Sequence, residues 1–333
     1  MKDRAAARRS VATVAFLLLF LFTVGWEGYR FWTPRDVEGG IHEVGRIGQD
    51  TYALYLEGTH AYISRAAQIL VVDVASPKNP RIVAQSTGRQ GIISRLLAQP
   101  PYIYTVSRED ALRVLEVREG EVENVAYLDL PAWGEDVVAR EGKLYVANAW
   151  EGLAVVDATR PTSPRLLASH PVSRYAYGLA LAYPYAFVAG WDTGLWVVDV
   201  RDPQHPALVG RYDTPGRASR VVVSGGMAYV ADGGGVEVVD VSDPTHPVHV
   251  VRYTTPGWTF GISVAGPYLA VACGGQGIYV FDVRHPRRAR LIGSYDTPGA
   301  GNDVVFRPPY LFVADGRPGL LILEFRETGE RPQ

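Results

Sequence analysis

The chain has 333 residues, is 47% hydrophobic and 20% charged, and sets 33 Lys and Arg against 35 Asp and Glu for a net charge of −2. This excludes a disordered tail, and the charge balance argues against a nucleic-acid binder, which needs a basic footprint to displace counterions. A single cysteine, Cys273, excludes an intramolecular disulfide and a Cys-rich metal site, while 35 Gly, 23 Pro and 19 Tyr suit short strands punctuated by turns.

Residues 1–39 read as a segment of their own. Lys2, Arg4, Arg8 and Arg9 precede an apolar run over 11–24, the layout of an export signal. At ~1.5 Å per residue that run spans about 21 Å, short of the ~30 Å hydrocarbon core. It continues, however, through Trp26, Tyr29, Phe31 and Trp32, aromatics suited to a membrane interface. Thr23-Val24-Gly25 is a poor cleavage site. The expectation is an uncleaved signal anchor, a transmembrane helix through residues 11–32. A cleaved signal is the alternative, and a buried cytoplasmic helix stands behind both. No cysteine follows the run to carry a lipid, and Arg8-Arg9 is a weak twin-arginine match. The leading basic residues place the remainder on the extracytoplasmic face of the cytoplasmic membrane, or in the medium if the signal is cut.

From residue 40 to 333 one unit recurs. Its clearest copies are VVDVASPKNPRIV from Val71, VVDATRPTSPRLL from Val155, VVDVRDPQHPALV from Val197, VVDVSDPTHPVHV from Val238 and VFDVRHPRRARLI from Val280. Degenerate copies start at Val114 and Ile322. An acidic anchor falls at Asp73, Glu116, Asp157, Asp199, Asp240, Asp282 and Glu324, a period of about 42 residues. An upstream marker keeps the same beat at Tyr62, Tyr104, Tyr145, Phe187, Tyr229, Ala270 and Phe312. Within 219–254, SRVVVSG, MAYVAD, VEVVDV and VHVVRYT read as four strands separated by glycines or the DPTHP turn. Four short antiparallel strands per period describe one propeller blade. The fold class is therefore all-β, a seven-bladed β-propeller over 40–333. The last unit lacks a fourth strand, and IHEVGRIG over 41–48 resembles one, so the N-terminal strand is expected to close the ring and hide its open edge.

The repeated V-V-D-V with a following D-P-x-x-P resembles the LVIVD-repeat proteins, over 41–326. That resemblance implies a propeller and an extracytoplasmic address and brings no catalytic residues. The second and seventh units depart from it, with Glu116 and Glu324 in place of Asp and no D-P turn.

The anchor acids sit on different blades, too far apart to share one ion, and read as turn devices. His205 and His246 share a repeat position beside such turns. No HExxH, EF-hand loop, GxSxG elbow or dinucleotide-binding loop is present, and Gly233, Gly274 and their neighbours fall in hairpins. Cys273 reads as a buried small hydrophobe. The expectation is no catalytic residue, no metal and no cofactor.

One distribution stands out. In a four-strand meander the loops before strand one and between strands two and three emerge at the same end of the ring. Trp133, Trp150, Trp191 and Trp258 fall in those loops, with Tyr175 at the repeat position of Trp133 and Trp258. Arg95, Glu135, Asp136, Glu151, Asp192, Arg217, Arg220, Asp232, Asp303, Asp315 and Arg317 are expected to charge the same rim. Aromatics interleaved with Arg are hot-spot composition. The reading is a membrane-anchored, non-catalytic scaffold that binds an envelope or membrane protein through Trp133, Trp150, Tyr175, Trp191, Arg220 and Trp258. A carbohydrate- or cell-wall-binding module is the alternative, with a propeller hydrolase or lyase behind it. The opposing possibility is that the tryptophans are wedged between blades.

Overall fold

The computed structural model describes residues 29–31, 40–48, 50–65, 68–87, 93–109, 112–172 and 174–327. Of the expected signal anchor and linker over 1–39, residues 1–28 and 32–39 lie outside the described residues. Strands dominate, and the helical content within that range is one short 3-10 turn, Pro286–Arg288.

In unit five, Arg220–Ser224, Met227–Ala231, Gly235–Asp240 and Val248–Thr254 pair as an antiparallel meander, as the sequence pattern predicts. Burial explains why the two middle strands are so apolar. Successive side chains point to opposite faces of a strand, and the run of consecutive buried residues in each means that both faces are covered. What covers them is the next sheet. Tyr229, Val238 and Val251 of unit five share one core with Ile262, Leu269 and Phe281 of unit six.

Seven such units follow one another. Their first strands are Thr51–Glu57, Ile93–Gln99, Asp136–Arg140, Gly178–Ala182, Arg220–Ser224, Gly261–Ala265 and Asp303–Arg307. Each packs against the first strand of the next unit, and the seventh packs against the first, so these strands form the inner wall of a closed ring. The fourth strand of the seventh unit comes from the start of the domain: Gly40–Ile47 runs antiparallel to Leu320–Arg326, from Gly40 opposite Arg326 to Ile47 opposite Leu320. Ile41, Val44 and Ile47 pack against the flanking cores and tie the two ends of the chain together.

The turns after strand three are built alike. The Oδ1 atoms of Asp73, Asp157, Asp199, Asp240 and Asp282 each accept the backbone N–H two residues on, at 2.9–3.1 Å. Asp202 and Asp243 repeat the bond within the D-P turn and also face His205 and His246. These acids are structural.

Two outer edges are extended by parallel pairing. Glu121 and Val122 pair with Gln85 and Ser86, joining the outer strands of units one and two. Tyr29–Phe31 pairs with Arg252–Thr254. These three residues fall within the segment 11–32 expected to meet the membrane. Among the described residues no helix is long and apolar enough to cross a membrane.

Candidate functional site: the mouth of the ring

The loops before strand one and after strand two do share one end. Thr51 bridges to Gly316, Ala149 to Ala176, Trp191 to Ala218 and Gly274 to Gly301, each linking the hairpin of one blade to the entry segment of the next. Carboxylates and an amide fix the same segments. Asn148, Asp232 and Asp315 accept the N–H groups of Ala132, Gly216 and Gly299 at 3.2, 3.0 and 2.9 Å.

Inside that end, one repeat position on the inner strands points into the axis. Arg95, Asp136, Gly178, Arg220, Gly261 and Asp303 hold it in units two to seven, opposite the equivalent residue of strand two in every case. Arg95 bonds Asp303 directly and lies 3.9 Å from Asp136, while Arg220 lies 3.8 Å from the other oxygen of Asp136. Asp136 spends both oxygens on the N–H groups of Val137 and Leu179, at 2.9 and 3.0 Å. Two positive and two negative charges thus close the axis. Glycine is needed at the two positions between them: a Cβ on Gly178 would stand 2.6 Å from the Ser219 carbonyl oxygen, and one on Gly261 would stand 2.7 Å from Cα of Asp303.

The two arginines differ in what surrounds them. Burial disfavours the charge on Arg95, but Asp303 and Asp136 outweigh it and hold its pKa above the usual value. For Arg220 burial dominates, Arg95 adds repulsion, and the pKa falls below the usual value.

The residues just outward of this layer form the mouth. Tyr52, Tyr177, Ser219, Phe260 and Asn302 each precede the axial position of their unit, and with Trp191, Trp258 and Arg220 they line a cavity of about 260 Å³. Ring contacts run without a break from Tyr175 to Tyr177 (6.1 Å between centroids), to Trp191 (5.1 Å, stacked), to Trp258 (5.8 Å) and to Phe260 (6.5 Å). Trp258 lies over Gly233 and Phe260 over Gly274, close enough that a Cβ on Gly274 would meet the ring at 2.9 Å. Trp191 holds a backbone position that is left-handed in its equivalents Gly233, Gly274 and Gly316, and it pays for this with φ = 54°. A bulky residue there is strained by roughly 1–2 kcal/mol.

The six rim residues expected from sequence therefore divide. Tyr175, Trp191, Arg220 and Trp258 belong to this constellation. Trp133 and Trp150 make a separate edge-on pair, with centroids 4.9 Å apart, and are 43% and 46% exposed. Those two are not wedged between blades. Tyr52, Tyr177, Phe260 and Asn302 escaped the sequence reading. The charged rim needs correction as well, since Arg95, Glu135, Asp136, Asp232, Asp303 and Asp315 are buried. Each is drawn in by a partner. Asp232, for instance, meets Arg252 at 2.5 Å, and Glu135 meets Arg108 at 2.8 Å and the Tyr175 hydroxyl at 2.5 Å. Burial, followed by Glu135, raises the pKa of Tyr175. Cys273 is buried, as expected, and burial pushes its thiol up to about 12. Among the described residues no three His, Cys, Asp or Glu side chains are gathered as metal ligands.

Comparison with known proteins agrees with this architecture. The LVIVD repeat family matches residues 134–170, 173–214, 215–255 and 256–297, which are units three to six. Among solved structures, the chain is similar to the β-propeller domain of Myceliophteria thermophila Cps50 (Swd1), with TM-score 0.70 and 11% identity over 86% of this chain and 99% of that one. It is also similar to the WD40 repeats of RRP9, with TM-score 0.67 and 13% identity over 86% and 97%. The computationally designed Ika8 protein gives TM-score 0.61 and 10% identity over 85% and 98%. Such identities establish a shared fold. No protein of curated function matches in sequence.

Proposed function

This chain is an LVIVD-repeat β-propeller, and from that premise we propose that it is a non-catalytic scaffold whose mouth docks a protein of the cell envelope. The observation that carries the reading is the unbroken arc Tyr175–Tyr177–Trp191–Trp258–Phe260 around an open cavity. Large, rigid aromatics beside arginine give contact area at low entropic cost and dominate interface energetics. Backbone strain at Trp191 supports it, because this bulky ring holds a left-handed position that carries glycine in three other blades and the small Ala149 in a fourth. The WD40-repeat likeness supports the same class of function by analogy of fold.

Trp191→Ala and Trp258→Ala should each weaken capture of the partner from native membranes by about 2 kcal/mol or more. Their melting should change far less than the ~3–5 kcal/mol of a buried aromatic truncation. If both variants are destabilised by that larger amount and still bind once folded, the arc is packing and the reading fails. Retention that follows added glycan instead of a protein companion would favour a carbohydrate-binding module using the same rings.

The address forms part of the proposal. The basic residues before the apolar run support an N-terminal anchor that leaves the propeller extracytoplasmic. Protease added to intact spheroplasts should then remove the propeller, and full protection would overturn the topology.

A further inference from the structure

We propose that the cavity at the mouth of the ring is a receptor for a single carboxylate, gripped by the Arg220 guanidinium and flanked by the rings of Tyr177, Trp191, Trp258 and Phe260. The proposal deepens the docking-face reading and rests on it, giving that face a chemical preference at its centre.

The first argument is the state of Arg220. Its neighbours supply charge but almost no hydrogen bonding. Asp136 is 3.8 Å away with both oxygens committed to backbone N–H groups. The Nη1 group reaches only the Ser219 carbonyl, at 3.5 Å, and Nε is buried with no acceptor. Leaving a buried donor unmade is costly, more so when it is charged. Arg95, three blades away in the same layer, shows the contrast, because Asp303 bonds it directly. Arg220 is the one charged residue in the cavity lining.

The second argument selects the ligand. A carboxylate matches the guanidinium fork in two parallel bonds. A dianionic phosphate fits less well: Asp136 and Asp303 stand in the same layer, and the other axial arginine is already taken. A cationic ligand fits worst. The ring faces it would use are occupied by the protein's own arginines, with Arg220 5.8 Å and Arg108 6.0 Å from the Tyr177 centroid and Arg217 5.5 Å from that of Trp191. The lowered pKa of Arg220 agrees, since its surroundings undercompensate its charge and an anion would correct that. Aromatic walls and a volume of about 260 Å³ suit a flat or methylene stem behind the carboxylate. An acidic side chain or C-terminus of a docked polypeptide provides that chemistry, and so does a free carboxylic acid.

Trp191 and Trp258 make the site its own fluorophore, so the full chain can be titrated with isosteric pairs. These are benzoate with benzamide, a capped Ala-Glu-Ala peptide with its Gln counterpart, and phenyl phosphate as the dianion. The expected result is a preference of roughly tenfold or more for each carboxylate over its amide, as charged hydrogen bonds give. That preference should vanish in Arg220→Met and return only in part in Arg220→Lys. Tighter binding of the Glu peptide than of benzoate assigns the ligand to a polypeptide, and the reverse assigns it to a small acid. Either upholds the site. Equal binding of amides, tighter binding of phenyl phosphate, or a preference that survives Arg220→Met overturns it. Should Arg220→Met not fold, the isosteric pairs on the parent chain decide alone. The two readings fail separately. Partner capture that persists in folded Arg220→Met with no carboxylate preference sinks the receptor and spares the docking face. Carboxylate preference without any effect of Trp191→Ala or Trp258→Ala on capture does the opposite.

Discussion

At one end of the ring, five aspartates in five blades make the same bond to the N–H two residues on. At the other end, the axial position passes through Arg, Asp, Gly, Arg, Gly and Asp in six consecutive blades, and the residue before it changes just as freely. Both ends derive from one repeated unit. Where every blade must solve the same local problem, as in the turn after strand three, the solution repeats. At the mouth the side chains meet across the axis, so each blade can contribute a different part. Repetition marks the positions that fold a blade, and departure from it marks the positions that act together.

This comparison can be pressed first at Gly178. A methyl group there would enter the space of the Ser219 carbonyl oxygen and Cα of Arg220, at 2.6 and 2.9 Å. Backbone atoms cannot swing aside, so Gly178→Ala should cost about 1–3 kcal/mol, the range for overpacking. It should also displace Arg220 and weaken benzoate binding. Gly275, in a hairpin at the same end of the ring, has nothing within 4 Å of a Cβ. Gly275→Ala should stay within about 0.5 kcal/mol of the parent. Chemical denaturation of the pair measures both, and equal effects would mean that the mouth is not held by close backbone approach.

The contrast also explains what the sequence disclosed. Period, strand order, the anchor turns and the closing strand are legible because each is a repeated or local pattern. Asp240 and Ser242 are two residues apart, and their bond is written in the turn itself. Arg95 and Asp303 are separated by 208 residues, and no local pattern announces their bond. Arg95 follows a shift in register at the start of its strand, which further obscures the face it takes. Tyr177 and Phe260 went unread because their column also holds Ser94, Glu135, Ser219 and Asn302, so no single residue type marks it. Aligning the units on the Tyr62 marker and reading down the column before the axial residue was the one signal that would have found them. The parallel edge strand Tyr29–Phe31 is three residues long and carries no alternation of its own.

The smallest effect is expected at the repetitive end. The carboxylate of Asp243 accepts from the Thr245 hydroxyl at 2.6 Å and the Thr245 N–H at 3.0 Å, and it faces Nδ1 of His246 at 3.0 Å. These contacts, the hydroxyl first, lower its pKa to about 2. The unfolded chain holds the same group near ~3.9. A depressed carboxylate stabilises the folded state above its unfolded pKa, and that contribution is lost as pH falls through its folded value. Asp243→Ala should therefore melt slightly below the parent at neutral pH, and the gap should close between about pH 4 and pH 2. The side chain is largely open to solvent, which keeps the gap small. Its neighbours make the result specific, because two of the three contacts are hydrogen bonds that salt screens poorly, so 0.5 M salt should leave most of the gap in place. A gap equal at both pH values would show that the turn owes nothing to the charge of Asp243. The repeated aspartates would then be kept for their shape as hydrogen-bond acceptors alone.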